Sequence, residues 1–159
     1  LAVTFAGVAH GARAPHPWLK ASGPGACLLN TASAAAIYGT SGLALYSATK
    51  FAVRGLTEAL GTEWARDGIA VRSLMPSFID TPLLAGPSNA ATNRTKRQGV
   101  VDAGLEFTPV EQVAEAAWKA VHGGPMHSVI GKTARQMRLA AIFAPALLRL
   151  RSRKLLKGG

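Results

Sequence analysis

The sequence predicts an α/β fold built on an open parallel sheet, and three observations indicate it. Segments with the periodicity of amphipathic helices alternate along the chain with short apolar runs. These runs do not alternate polar with apolar residues, which is typical of parallel strands covered by helices on both faces. The 159 residues are 48% hydrophobic, which is enough for one sizeable core. Since ligands of such sheets bind outside the carboxyl ends of the strands, chemistry is expected there.

The first half of the chain predicts a helix, a strand and a second helix. Residues 1–14 have helical periodicity, which two prolines then interrupt. The apolar run at residues 26–33 predicts a buried strand with a polar end that includes Ser33. A glycine-containing loop follows, and residues 44–68 predict the longest helix, which closes on an Asp-Gly stop signal.

The second half predicts two further strands and another helix. Residues 69–76 predict a buried strand, and residues 77–104 form a long segment without strong periodicity, as functional loops often do. Residues 108–124 predict a helix. We expect Thr108 to be its N-cap, because proline follows at once and glutamate three residues after the threonine. Residues 127–131 predict a last short strand.

The positive charge is concentrated at the end of the chain. The formal net charge is +10, but residues 1–115 contain nine Lys and Arg with all eight acidic residues, whereas residues 116–159 contain nine Lys and Arg and no acid. In residues 132–159 apolar and basic residues are interleaved, which predicts one or two amphipathic helices divided near Pro145. Two interpretations stay open: a helix in a membrane interface, and a solvated basic helix packed on its own subunit or a neighbour.

Other features narrow the class of protein. Nothing resembles a signal peptide, and the longest apolar run, residues 139–148, is shorter than the ~20 residues that span a bilayer. The single cysteine, Cys27, rules out an internal disulfide and favours a reducing cytoplasm. The four histidines lack metal-ligand spacing, so no metal site is expected. No aromatic array accompanies the basic residues, so no nucleic acid partner is expected.

Three side chains near the carboxyl edge of the predicted sheet could share one reaction. Tyr46 and Lys50 are four residues apart near the start of the long helix, so they lie on one face about one turn apart. An ammonium group near a phenol stabilises the phenolate, which suits a tyrosine that moves a proton. Ser33, at the end of the preceding strand, could hold a substrate oxygen beside the tyrosine hydroxyl. Composition alone gives about 0.005 such three-residue sets, so the pattern is rarely accidental.

The stretch LLNTASAAAIYGTSGLALYSATKFAVRGLTEALGTEWARDGIAVRSLMPSFIDTP resembles the central segment of short-chain dehydrogenases/reductases. By this resemblance the chain is the C-terminal portion of a Rossmann-type doubly wound parallel sheet, and the N-terminal phosphate-binding half is absent. The resemblance implies an NAD(P)-dependent oxidoreductase that interconverts a secondary alcohol and a ketone, with NAD and NADP not distinguished. Residues 1–131 are then part of the dinucleotide-binding domain, with a substrate lid at residues 83–104, and residues 132–159 are a basic helical tail.

The resemblance also implies roles for particular side chains. Ser33 polarises the carbonyl or alcohol of the substrate, Tyr46 passes the proton, and Lys50 assists Tyr46 and hydrogen-bonds the nicotinamide ribose. The residues implied at the cofactor are Tyr46, Lys50, Pro76, Ile79 and Thr81. The implied partners are a small-molecule alcohol or carbonyl substrate and further copies of the subunit in a homo-oligomer.

Two positions depart from the family pattern. Thr4 stands where the family has an asparagine that supports a water-linked proton relay to the lysine, and Ser77 stands where a glycine usually follows Pro76. Thr4 and the absent half leave an alternative open, a non-catalytic protein that keeps the fold for binding or assembly. Without the phosphate-binding half, the polypeptide alone is expected to be inactive.

Overall fold

The computed structural model describes residues 2–86 and 95–150, and a sheet of three parallel strands lies at its centre. The strands are β1 (Cys27–Thr31), β2 (Ala70–Pro76) and β3 (His127–Ile130), in the spatial order β1-β2-β3. The helices are α1 (Gly7–Arg13), α2 (His16–Ala21), α3 (Ala44–Glu63), α4 (Lys96–Asp102), α5 (Val110–Val121) and α6 (Lys132–Phe143). The prediction of an α/β fold with a parallel sheet is confirmed.

Helices cover the sheet on both faces, as the continuous apolar strands predict. Leu74 and Met75 are consecutive in β2, so their side chains point to opposite faces. Met75 packs in a buried cluster with Val53 of α3, whereas Leu74 packs with Ala120 of α5 and with Ile130. Helix α3 therefore lies on one face of the sheet and α5 on the other.

A row of polar side chains crosses the sheet on the face that α3 covers. Asn30, Ser73 and His127 are register partners on the three strands. The Asn30 amide donates to the Thr57 hydroxyl (3.0 Å), and the His127 Nε2 contacts Glu58 Oε1 (3.0 Å). Because a carboxylate only accepts, Nε2 carries the proton, and in the neutral ring Nδ1 then accepts from the Ser73 hydroxyl at 2.8 Å. The polar groups of the row, of which Asn30 and Ser73 are buried, are thus matched to one another and to α3.

Two helices occur where the sequence predicts none. Helix α2 begins at His16 with Pro17 in its first turn, where proline is tolerated because the first N–H groups of a helix have no intrahelical partner. Helix α4 lies inside the segment predicted to be irregular. It begins at a capping box, in which the Thr95 side chain accepts from the Gln98 N–H and the Gln98 side chain accepts from the Thr95 N–H.

The prediction that Thr108 caps the next helix is wrong. Helix α5 begins at Val110 with Pro109 in the N-cap position, and no side chain caps it. Thr108 is instead buried and forms an isolated parallel bridge with Ile79. Its N–H donates to the Phe78 carbonyl (2.7 Å), and its carbonyl accepts from the Asp80 N–H (3.1 Å). The residue is used to hold the turn after β2, which a local capping signature cannot reveal.

Both ends of the described chain are helical. A π-helical turn, Ala2–Ala6, precedes α1 and contains Thr4. At the other end α6 stops at Phe143, and residues 145–150 are again helical, so the predicted division near Pro145 is confirmed. Parts of the predicted lid, residues 87–94, and of the tail, residues 151–159, lie outside the described residues.

Candidate active site

The carboxyl end of β1 and the first turns of α3 form the candidate site. Strand β1 ends at Thr31, and two residues later Ser33 caps a short 3-10 turn, Ala34–Ala36. The Ser33 Oγ accepts a hydrogen bond from the Ala35 N–H at 3.2 Å. The three alanines of the turn are buried, so the half-buried serine is held at the strand end by packing as well as by its cap. Its hydroxyl proton stays available for donation to another acceptor.

Tyr46 lies in the first turn of α3. The start of the helix is tied down by Ser47, whose hydroxyl accepts from the Thr40 N–H at 3.1 Å, and by Thr49, whose hydroxyl donates to the Tyr46 carbonyl at 2.7 Å. The Tyr46 side chain is 41% exposed, and within the described residues its hydroxyl makes no hydrogen bond. The backbone of Tyr46 is thus fixed, while its phenol hydroxyl is open to bind a ligand in the crevice.

Lys50 links the helix to the strand end. Its ammonium donates to the Thr31 carbonyl at 2.9 Å and lies 5.7 Å from the centroid of the Tyr46 ring. Burial lowers the pKa of Lys50, because the charged form loses hydration there. An ammonium has three N–H donors, so the contact with Thr31 leaves two for other acceptors.

The structure therefore brings Tyr46 and Lys50 together at the end of β1. Ser33 lies two residues beyond Thr31, the residue that Lys50 contacts, and its oxygen faces the turn that it caps. The carbonyl of Thr31 is the part of this arrangement that the sequence does not indicate, since every residue carries the same backbone oxygen. Thr31 is 19 residues from Lys50 in the sequence, so no local spacing pattern links the two.

The turn after β2 holds the other residues that the resemblance implies at the cofactor. Pro76 is the last residue of β2, Ile79 pairs with Thr108, and Thr81 directly precedes the 3-10 turn Pro82–Ala85. The hydroxyls of Ser77 and Thr108 are 3.4 Å apart. The turn is thus braced from the side by the segment that leads into α5.

Gly131 belongs to the same bracing. Its φ is +89°, and a Cβ at this position would lie 2.5 Å from the Ser77 Oγ and 2.5 Å from the Thr108 Oγ1. The Ser77 N–H donates to the Ile130 carbonyl at 3.1 Å. Only glycine fits where these three chain segments meet. The sequence does not predict this requirement, because it shows only a single glycine after an apolar run.

An ion pair joins this turn to helix α4. Asp80 and Arg97 form a two-pronged contact, whose longer hydrogen bond is 3.3 Å, and the Arg97 guanidinium lies 4.5 Å from the centroid of the Phe107 ring. The hydrogen bond from Arg97 holds the pKa of Asp80 below its ordinary value. The residues are 17 positions apart, so no spacing rule predicts the pair.

Two further features of residues 2–86 and 95–150 concern metal ions and cavities. There, no group of three or more His, Cys, Asp or Glu side chains could hold a metal ion. An apolar concavity of about 310 Å³ lies between α1, α2 and α3, beside Trp64, and none of the residues predicted at the active site line it.

The chain belongs to the short chain dehydrogenase family, whose family model matches residues 1–91, more than half of the sequence. A diacetyl reductase [(S)-acetoin forming] of Staphylococcus aureus is 40% identical over 82 residues, which are 52% of this chain and 32% of that protein. A tropinone reductase homolog of Arabidopsis thaliana is 45% identical over 74 residues, 46% of this chain and 27% of that protein. The chain spans about a third of the length of these relatives.

Solved structures support the fold. A short chain dehydrogenase from Burkholderia cenocepacia in complex with NADP has a TM-score of 0.74 at 23% identity, over 94% of this chain and 56% of that one. A putative 2-deoxy-D-gluconate 3-dehydrogenase from Agrobacterium tumefaciens with bound NADP has a TM-score of 0.58 at 28% identity, over 75% and 47%. The chain therefore has the fold of about half of each of these structures.

Proposed function

We propose that the chain is the catalytic part of an NAD- or NADP-dependent oxidoreductase that interconverts a secondary alcohol and a ketone. The observation that carries the proposal is the position of the Lys50 ammonium, bonded to the Thr31 carbonyl and close to the Tyr46 ring. This arrangement lies at the carboxyl edge of a parallel sheet, where such folds bind ligands. The likeness to a diacetyl reductase and to NADP-bound dehydrogenases supports the same class of reaction.

Tyr46 is proposed to move the proton of the reaction. Its hydroxyl is free of protein hydrogen bonds within the described residues, so it can bond directly to the oxygen of a substrate. In reduction the hydroxyl would give its proton to the oxygen that was the carbonyl, and in oxidation it would take the proton of the alcohol. Lys50 holds its positive charge 5.7 Å from the centroid of the Tyr46 ring, and Ser33 would donate a second hydrogen bond to the same substrate oxygen.

The residues at this edge fit the nicotinamide end of a dinucleotide. The two N–H donors of Lys50 that Thr31 leaves unused can hold ribose hydroxyls, and the braced turn from Pro76 to Thr81 offers a rigid wall. When bound, the nicotinamide supplies or accepts the hydride. Substrate and cofactor would enter from the crevice outside the strand ends, with residues 83–104 as a lid.

The alternative is a family member that keeps the fold without catalysis. Thr4, in the π-helical turn before α1, is the observation that favours it, because threonine replaces an amide in the proton relay that the family resemblance implies. A threonine hydroxyl can still hold a water, so the substitution does not by itself abolish a relay.

An assay of hydride transfer tests the proposal. The chain would be produced within a polypeptide that supplies the remainder of the family fold, and oxidation of NADH and NADPH would be followed with diacetyl and a panel of other ketones. We expect turnover with one cofactor preferred. If the protein were folded and bound a dinucleotide, yet oxidised neither cofactor with any ketone, the proposed oxidoreductase activity would be wrong. The non-catalytic alternative would then be favoured.

A further inference from the structure

The end of the described chain presents apolar side chains to solvent. More than half of the surface of each of five large apolar residues is exposed: Leu139, Ile142, Phe143, Leu147 and Leu150. Ile142 and Phe143 lie three and four residues after Leu139, so both share one side of α6 with it. The same spacing recurs between residues 147 and 150 of the helical segment 145–150. The tail surface, as we call α6 together with residues 145–150, thus combines exposure with helical order.

The base of the tail surface is fixed to the domain. Ala134 of α6 is fully buried, and the Lys132 N–H donates to the Glu106 carboxylate at 2.7 Å. The Arg135 N–H donates to the Gly131 carbonyl at 3.1 Å, which continues the helix directly from the turn after β3. The exposed apolar side is therefore the side that the domain leaves uncovered in the described residues.

Positive charge accompanies the apolar side chains. Lys132, Arg135, Arg138 and Arg149 are exposed on the tail surface. Residues 116–159 contain nine Lys and Arg and no acid, so no carboxylate of this segment can neutralise them. A helical surface with exposed Leu, Ile and Phe beside Lys and Arg has the composition of segments that lie in the headgroup layer of a bilayer.

We propose that the tail surface binds peripherally to the anionic headgroup layer of a lipid membrane. The apolar side chains would insert to the depth of the headgroup boundary while the basic side chains contact lipid phosphates. Within the described residues no helix has the length and apolar character needed to cross a bilayer. This inference is independent of the oxidoreductase proposal, because no residue of the tail surface belongs to the candidate site.

Charge complementarity favours a membrane over a second copy of the chain. Two tail surfaces would repel each other, since both are positive and neither contains an acid. Elsewhere, four carboxylates already form ion pairs with basic or histidine side chains of the same chain: Glu58, Asp67, Asp80 and Glu115. Over residues 1–115 nine basic residues offset the eight acidic ones, so this part of the sequence has no excess of negative charge to match the tail surface.

Vesicle co-sedimentation of the full chain tests the proposal. We expect the protein to pellet with vesicles of equimolar phosphatidylcholine and phosphatidylglycerol at low salt, and to stay in the supernatant with pure phosphatidylcholine. Added salt should reduce the pelleted fraction, because it screens the attraction of the basic side chains. Equal recovery in the supernatant with both vesicle types, or equal pelleting with both, would overturn the proposal.

Two variants with matched controls assign the binding to the tail surface. The triple variant Arg135→Gln, Arg138→Gln, Arg149→Gln should lower the partition constant by about a hundredfold, since each basic residue contributes a factor of about five near an anionic surface. Arg66→Gln, an exposed arginine outside the tail surface, should leave it unchanged. Phe143→Ser should weaken binding and Trp18→Ser should not, although the two side chains are similarly exposed at 78% and 70%.

Light scattering without lipid separates the membrane from a subunit contact. If Phe143→Ser lowered the molecular mass in solution and vesicle binding were absent in the parent chain, the tail surface would be a contact between copies and the proposal would be wrong. Circular dichroism would establish that each variant is folded, which is expected because every substituted side chain is exposed.

Discussion

Lys50 occupies the position on which the candidate site depends. It is held by one backbone carbonyl, Thr31 O, rather than by a carboxylate, so its positive charge is not neutralised by the group that positions it. The charge can therefore act on the Tyr46 ring 5.7 Å away and on a ligand beside it. Burial lowers the pKa of Lys50, which works against that charge, and the contact with the carbonyl offsets part of the loss of hydration.

Replacement of Tyr46 by phenylalanine tests the proposed proton transfer. In the completed enzyme, Tyr46→Phe should lower kcat by about 10²–10⁴-fold, the usual contribution of general acid–base catalysis, and leave the Kd of the cofactor nearly unchanged. The matched control is Tyr38→Phe, which removes the hydroxyl of the only other tyrosine in the sequence. Similar turnover in both variants would mean that another group moves the proton.

Replacement of Lys50 should have a different signature. Lys50→Ala removes both the charge near Tyr46 and the donors proposed for the ribose, so kcat should fall and the Kd of the cofactor should rise. Lys119→Ala, at an exposed lysine paired with Glu115 on α5, should alter neither. Steady-state kinetics with cofactor titration would separate the two effects, and an unchanged Kd in Lys50→Ala would exclude the ribose contact.

At the scale of secondary structure elements, the sequence predicts those strands and helices whose burial leaves a regular apolar pattern in the chain. The strands and the long helix α3 follow from apolar runs and from helical periodicity, which reflect burial on one or both sides. Thr108 was predicted as a cap because its signature is local, but its N–H and carbonyl are taken by Phe78 and Asp80 across the chain. Helix α4 has only seven residues, too few for periodicity to indicate it.

The candidate site was predictable only in part for the same reason. Residue types and spacing indicate Tyr46 and Lys50, because four residues are one helical turn. The Thr31 carbonyl, the ion pair of Asp80 with Arg97 and the contact of Gly131 with Ser77 each join segments far apart in sequence. Such contacts depend on the completed packing of the sheet, which no local pattern contains.

The turn between β3 and α6 should tolerate no side chain at Gly131. Gly131→Ala places a Cβ 2.5 Å from two hydroxyl oxygens at a positive φ of 89°. We expect the free energy of unfolding to fall by about 1–3 kcal/mol, the cost of a strained backbone position. Urea unfolding followed by circular dichroism measures the change.

Gly55→Ala is the matched control for this substitution. Gly55 lies in the exposed middle of α3, where a Cβ would meet nothing within 4 Å. The same glycine-to-alanine change should there raise the free energy of unfolding by up to about 1 kcal/mol, because alanine loses less backbone entropy in a helix. Equal effects at both positions would contradict the described geometry of the turn.

For the molecule as a whole, ion pairs set the response of stability to acid. The hydrogen bond from Lys20 (2.8 Å), with its charge and the contact with His16, holds the pKa of Asp67 below its ordinary value. A carboxylate with a lowered folded-state pKa stabilises the fold above its unfolded pKa of about 4, and that contribution is lost as the pH falls through the folded pKa. The pair joins α2 to the 3-10 turn that follows α3.

We therefore expect the urea midpoint to fall on acidification below about pH 4. Asp67→Asn should lower the midpoint at neutral pH and flatten its dependence on pH. Glu63→Gln, at an exposed carboxylate without an ion pair in the described residues, should have little effect on either. A midpoint that rises on acidification would contradict the assignment.

The chain on its own should not catalyse hydride transfer. It spans 32% of the length of the diacetyl reductase that it resembles, and binding energy from the pyrophosphate and adenosine is needed to place the nicotinamide. Incubation of the isolated chain with NADH or NADPH and the ketone panel should leave both cofactors reduced. Turnover comparable to that of a complete family member would overturn this expectation.

The polar row of Asn30, Ser73 and His127 bears on how the chain avoids pairing its strands wrongly. Apolar side chains pack almost as well after a shift along the strand, so they discriminate poorly between alignments. A shift of β2 by one residue would turn Ser73 to the α5 side of the sheet and leave the Nδ1 of the half-buried His127 without its hydroxyl donor. Misaligned sheets thus contain nitrogen and oxygen atoms that have lost water without gaining a hydrogen bond. Because this makes the shifted alignments less stable, the row favours one alignment of the strands during folding.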